Sequence, residues 1–341
     1  SMYISKKYTD DPLSFEKSNV NLSGDGMVTE LPSTKKYKDK VSVIKGKLVW
    51  NGETENNTEY KWFTEVTDGA TKKSASVRNE WKDKIAEEVD GVPIPKEFTY
   101  KEGTKDTGLV IEDEKGNEFV WVPATKSTYV KDTSFPSINN FITGSTDDDT
   151  LPNGITDETA DVKKYGGFYI GRYEAGIPEG DTSPSNKTGI PVSKQGETVW
   201  TEINYTNSKA SAENMISNEY VQTGLLTGTA WDTVCHWIKS DDELKDSRTY
   251  GNYKNSLEPA NVTGYGTIQV TGFSDKWMQK NIYDLAGNVW EWTSEVRNYD
   301  FFYRGGSYGD VGRDGPVSCR MYNNASSTSD YIGFRLRLYI K

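Results

Sequence analysis

The chain predicts an α+β fold that is β-rich and loop-rich, with a smaller N-terminal α+β unit. Two observations carry this. Of its 341 residues only 34% are apolar, yet Trp, Tyr and Phe number 10, 21 and 11, so large aromatic surfaces must build the core. Ala and Leu are sparse while Gly, Thr, Ser, Tyr and Val recur, in short alternating runs split by turn residues. The length suits two domains, or one large domain with an appendage.

Residues 1–107 form the first unit, a small domain plus a linker. Val41–Trp62 reads as a β-hairpin turning at Asn51-Gly52. Val77–Val89 places Trp81, Ile85 and Val89 at i, i+4 and i+8, the beat of a helix. Gly91–Gly108 mixes Pro, Gly and Lys with no periodic face and reads as a linker.

Residues 108–341 form the second unit. Gly108–Ala124 reads as strand, turn at Gly116-Asn117, and strand; Gly166–Gly176 is an aromatic-rich strand. The text between them, and again over Ser183–Thr198, is polar and turn-rich, so it reads as loops. Leu225–Leu244 carries the clearest helix, capped by Thr227 or Thr229, with Trp231, Val234, Cys235 and Ile238 as its core stripe. Asn281–Thr293 is a turn at Gly287-Asn288 followed by a wall of Val289, Trp290 and Trp292. The closing Ile332–Lys341 alternates as a strand, with Phe334, Leu336, Leu338 and Ile340 on one face and Arg335, Arg337 and Tyr339 on the other.

Several chemistries are excluded by inventory. A formal charge of −11 with no basic run disfavours nucleic acid and anionic membranes. Cys235, Cys319 and His236 are the only residues of their types, too few for a zinc site. A Ser-His-Asp mechanism would have to use His236, which the helical periodicity sets beside the core stripe. No apolar run reaches the roughly 20 residues of a membrane span. The opening Ser-Met, followed by polar text, reads as an expression scar.

The order of motifs from Gly108 onward resembles the formylglycine-generating-enzyme-like (sulfatase-modifying factor) domain, a divergent C-type lectin fold. The resemblance rests on NEFVWVPA, GGFYIGRYEAG, LLTGTAWDTVCHWI, NIYDLAGNVWEW, YRGGSY and IGFRLRL. It implies N- and C-terminal strands lying close together, and a scaffold role for Arg304, Gly305, Gly306, Arg320, Gly333 and Phe334. Arg304 and Arg320 would hold loops through carbonyls or carboxylates. The copper-dependent oxidases of the family carry two cysteines just after Gly-Gly-Ser. This chain has Asp310 and Gly315 there, so the resemblance implies the fold without the thiol chemistry. A metal-dependent oxidase is the alternative reading. No cofactor is required; structural calcium, known in this fold, would find ligands near Asn288 and Glu291.

The same fold serves for display in the variable proteins of diversity-generating retroelements. Randomising the two adenines of an Asn codon never yields Lys, Glu, Gln or Trp, and residues 297–340 contain none of the four. Six of the nine arginines lie at or after Arg297, as if Arg had replaced Lys. The expected variable region is 297–331. Its expected ligand-binding residues are Arg297, Asn298, Tyr299, Asp300, Phe301, Tyr303, Tyr308, Asp310, Arg313, Asp314, Tyr322, Asn323, Asn324, Asp330 and Tyr331, gathered on one exposed face with Phe302. This Tyr, Asn, Gly, Ser and Arg mixture is that of antibody loops.

The N-terminal text VIKGKLVWNG…YKWFTEV resembles pilin-like surface proteins of Gram-positive bacteria. That implies display at the cell surface or outside it, held by an anchor preceding these residues; a phage tail tip is the competing setting. The expected partner is a protein or glycan on another cell, phage or host surface.

Overall fold

Short antiparallel strands dominate the computed structural model, as the aromatic and β-branched runs require. It describes residues 77–341 except 143, and the backbone of six short strand segments before residue 77. The chain divides into two units, one comprising residues 1–96 and 103–105, the other 97–102 and 106–341.

In the first unit Val41–Ile44 pairs antiparallel with Lys47–Trp50; the turn expected at Asn51-Gly52 lies outside the described residues. The helix expected over Val77–Val89 is not formed. A 3₁₀ turn, Asn79–Trp81, leads into the strand Ile85–Val89, which pairs with Val92–Pro95. The reason is arithmetic: a spacing of four residues repeats on one face of a strand as well as on one face of a helix. Asp90-Gly91, both at positive φ, closes the hairpin as a type I′ turn. Trp81, Ile85, Val89, Val92 and Ile94 are among its buried residues, and the Arg78 guanidinium lies 3.6 Å from the Trp81 ring centroid.

The second unit is built around two large sheets, with a two-stranded ribbon of Met278–Gln279 and Ile282–Tyr283 beside them. We label β1 Phe98–Glu102, β2 Leu109–Asp113, β3 Glu118–Pro123, β4 Gly167–Gly171, β5 Val221–Leu225, β6 Trp290–Arg297, β7 Asp300–Arg304, β8 Arg320–Asn324, β9 Ile332–Phe334 and β10 Leu336–Ile340. The helices are α1 Glu158–Tyr165, α2 Tyr205–Met215 and α3 Gly228–Ile238.

The first sheet runs β5-β10-β4-β3-β2-β1, antiparallel throughout. The segment expected as a linker therefore supplies strands to both units: Val92–Pro95 to the first, β1 to the edge of this sheet. Prolines are tolerated at such short strands, and Phe98 packs edge-on against Phe119 at 5.9 Å. The β2–β3 turn falls at Gly116-Asn117 as expected, with the Asp113 carboxylate accepting from the Asn117 N–H at 2.8 Å and from its amide at 3.0 Å. The closing strand β10 sits inside the sheet, one strand from β3, which realises the expected nearness of the chain's two ends of the domain.

Helix α1 lies in text expected to be loop. Asp157 caps its Ala160 N–H at 3.0 Å and Gly166, at φ 81°, ends it in the left-handed conformation. Helix α3 matches expectation: Thr227 caps Ala230 at 3.1 Å, and Trp231, Val234, Cys235 and Ile238 enter the main core beside Val120, Ile170 and Leu285. His236 lies half-exposed on its flank, 2.7 Å from Asp132 and stacked on Phe135.

The second sheet orders Asp147–Asp148, β6, β7 and β8, with β9 parallel to β6. Its support is a set of buried arginines. Arg304 donates to Asp232 at 2.6 Å and to the Cys319 and Ser318 carbonyls; Arg320 reaches Asp232, Glu295 and the Asp132 and Phe135 carbonyls. On the closing strand, Arg335 grips Glu291 and Arg337 pairs with Glu158 and the Tyr129 hydroxyl. Both faces of β10 are thus buried, and its polar alternation marks ion pairs, not solvent. Four of the six C-terminal arginines are these buried forks, so their abundance has a structural cause: guanidinium fits buried carboxylates bidentately where Lys cannot.

Candidate functional site

The groove on the β6–β7–β8 sheet is laid down by strand alternation. Tyr303 on β7 stands opposite Trp292 on β6 and Met321 on β8, so these three point to the same side as Trp290. Tyr303 packs edge-on against Trp290 at 5.3 Å and Trp292 at 5.1 Å. Above them Tyr308 and Tyr331 stack at 4.8 Å and 20°. The resulting groove, 330 Å³, is lined by Trp290, Tyr303, Ser307, Asp310, Met321 and Tyr331, with Ile138, Gly309, Ser329 and Ile332 completing the rim.

Main-chain bonds fix its parts. The Tyr308 N–H donates to the Asn288 carbonyl at 2.9 Å, and the Trp290 N–H to the Tyr331 carbonyl at 2.8 Å. Asp310 folds back on its own loop, one carboxylate oxygen accepting from the Ser307 N–H at 2.9 Å and its hydroxyl at 2.7 Å. Burial, then the neighbouring Asp310, pushes the Tyr303 hydroxyl up to about 12. Burial, Asp330 and Tyr331 do the same for Tyr308, also to about 12. These phenols therefore act as neutral hydrogen-bonding groups.

Of the expected binding residues the groove gathers Tyr303, Asp310 and Tyr331, with Tyr308 stacked beside them. Tyr303 is only 9% exposed, so it forms the floor. The single exposed face expected for the whole set does not form. Tyr322 points to the opposite side of the sheet, against Phe302, which is fully buried. Phe301 stacks on Tyr205 at 3.6 Å and is half-buried. Asn298 and Tyr299 form the two-residue tip of the β6–β7 hairpin, with Arg297 and Asp300 paired at its base. Arg313 and Asp314 are exposed on the loop before β8, Asn323 and Asn324 are exposed at the end of β8, and Asp330 is exposed beyond it. Asn323 and Asn324 turn their side chains onto Ser327 and Ser326. The division follows from alternation: a β segment sends successive side chains to opposite faces, so a contiguous stretch cannot occupy one.

Trp290, Ser307, Met321, Ser329, Ile138 and Ile332 line the groove without having been expected there. Trp290 is legible in the sequence as part of the Val289, Trp290 and Trp292 wall; Ile138 comes from a distant loop that leaves no local signal. A second cavity, 400 Å³, lies among Phe98, Asp113, Asn117, Ile190, Met215 and Asn218 and contains none of the expected residues.

A Cβ added to Gly315 would lie 3.4 Å from the Cβ of Asp310, so these two positions face each other as a bridging or metal-binding cysteine pair would. Asp and Gly stand there instead. Both cysteines are buried elsewhere in the core, Cys235 donating towards the Val317 carbonyl and Cys319 towards that of Asp314. Burial raises both thiols, Cys319 to about 12, so neither is a ready thiolate.

Asn288 and Glu291, the expected calcium ligands, do not fit that task. Asn288 is buried; its amide donates to Glu174 at 2.7 Å and its oxygen accepts from Asn252 and Gln269, both at 3.0 Å. Glu291 is occupied by Arg335. Together they hold the GNVWEW turn shut from inside, with Glu174 also accepting the Val289 N–H at 3.3 Å.

Residues 207–338 match the family model of the sulfatase-modifying factor enzyme 1-like domain. The second unit accordingly has the β-rich C-type lectin fold of the formylglycine-generating-enzyme type. Similar solved structures include Treponema denticola variable protein 1, at 14% identity over 70% of this chain and 98% of that one, TM-score 0.36. PvdO from Pseudomonas aeruginosa shares 16% identity over 67% and 97%, TM-score 0.36; CarF shares 16% over 58% and 96%, TM-score 0.32. No curated protein sequence matches the chain.

Proposed function

We propose that this protein binds a ligand without transforming it, through the groove between Trp290, Tyr303, Asp310 and Tyr331. The observation that carries this reading is the pair of positions 310 and 315. They are juxtaposed as a thiol pair would be and hold a carboxylate and a glycine. The soft, deprotonatable sulfur needed to bind copper and activate oxygen is therefore missing where the fold would use it. What stands there is an aromatic-walled cleft on a rigid sheet, the composition of a recognition surface.

The finer reading is a variable protein of a diversity-generating retroelement, displayed at a cell surface, with residues 297–331 open to change. Its support is the lack of Lys, Glu, Gln and Trp from 297 to 340. The buried arginines account for the abundance of Arg without diversification, but not for that lack. Two measurements test the proposal. Sequencing downstream of the coding region should find a near-copy of its end beside a reverse transcriptase; a lone gene would refute diversification. A ligand selected on the intact protein should slow amide exchange over residues 303–310 and 329–332; protection confined elsewhere would refute the groove.

A further inference from the structure

We infer that the groove takes a basic side chain, Lys or Arg, presented by a protein partner; this rests on the groove being the binding site. The lining carries one charged side chain, Asp310, and no Lys or Arg. One Asp310 oxygen is held by Ser307, which aims the carboxylate while leaving the other as an acceptor. Among the described residues no ion pair is made to Asp310 by any cation, and no Lys or Arg covers the rings of Trp290, Tyr303, Tyr308 or Tyr331.

An anion recessed among aromatic rings attracts two features of one side chain. Its charge meets the carboxylate in a charge-assisted hydrogen bond. Its methylenes and cationic head lie along Trp290, Tyr303 and the stacked Tyr331, where the ring quadrupoles favour a cation. Asp330, close enough to raise the Tyr308 phenol, adds negative potential at the rim. The chain's net charge of −11 works in the same direction at long range, speeding encounter with a basic partner. A glycan would also stack on the rings, but it has no charge to meet Asp310.

A phage-displayed random peptide library, panned on the full chain, tests this. The expected winners contain Lys or Arg, slow amide exchange at residues 303–310, and lose affinity as salt rises. Asp310→Asn keeps an acceptor for Ser307 while removing the charge, and should weaken those peptides about tenfold or more. Should that variant fold poorly, the salt series on the unaltered protein still separates charge-driven from charge-independent binding. Peptides lacking Lys and Arg that still protect the groove and bind Asp310→Asn equally would overturn the inference and leave the groove as the binding site. Peptides that leave groove exchange unchanged would overturn both.

Discussion

Arg304 and Asp232 form a 2.6 Å ion pair in which neither side chain reaches solvent. Arg320 completes the square, 2.9 Å from both Asp232 and Glu295, and so ties helix α3 to strands β6, β7 and β8 beneath the groove. Removing one member strands a buried charge. Asp232→Ala should therefore cost about 3–5 kcal/mol in chemical denaturation. Replacing Asp232 and Arg304 together by Leu and Met should cost less than the sum of the single changes. Additive losses would mean the pair is not coupled.

A second cluster sets a pH dependence. Burial, with Glu291 close by, pushes the Asp284 carboxyl from 3.8 up to about 7, and burial with Asp284 and Glu291 raises Glu174 as well. The folded state thus keeps protons that the unfolded chain releases near its ordinary value. Stability is fully present below about pH 4 for this group and falls as pH rises to about 7. Asp284→Asn should flatten that slope and raise the melting temperature at pH 8, because Asn tolerates the φ of 56° at this position. An unchanged slope would show that Asp284 ionises freely.

The β6–β7 hairpin carries a local conflict. Tyr299 sits at φ 69° in the second place of a two-residue turn, where Gly is favoured, and is 91% exposed. Tyr299→Gly should leave the fold intact and change stability by no more than about 1 kcal/mol, in the stabilising direction. Trp292→Ala, which empties a buried site and frees the Ile203 carbonyl from a 2.9 Å bond, should cost about 3–5 kcal/mol. Equal losses for the two would place Tyr299 in the core.

Positions 310 and 315 can be given a pair of thiols to test their juxtaposition. Asp310→Cys with Gly315→Cys should form a disulfide on mild oxidation, since the Cβ atoms would be 3.4 Å apart. Mass spectrometry after thiol alkylation reads it directly. Two free thiols at these positions would contradict the geometry of this loop.

How much of the molecule is legible in its sequence depends on which residues carry each feature. Helix α3 declares itself through an apolar stripe and a capping Thr, and the β2–β3 hairpin through Gly116-Asn117. The strand at Ile85–Val89 is hidden because Trp81, Ile85 and Val89 satisfy both periods; Asp90-Gly91, a strong hairpin signal, resolves the ambiguity. Helix α1 lies in polar text whose only local marks are Asp157 and Gly166. The groove is half legible. Tyr303, Asp310 and Tyr331 stand out by composition, but composition has no sense of face, so it groups Tyr322 and Phe302 with residues across the sheet. Ile138 enters through tertiary packing alone.

The function proposed for this protein is binding without oxidation. It is tested most directly by titrating the protein with copper(I) in aerated buffer and following oxygen uptake in the presence of a cysteine-containing peptide. No stoichiometric copper binding is expected, and uptake no faster than the protein-free control. Tight copper binding with sustained turnover of the peptide cysteine would contradict it.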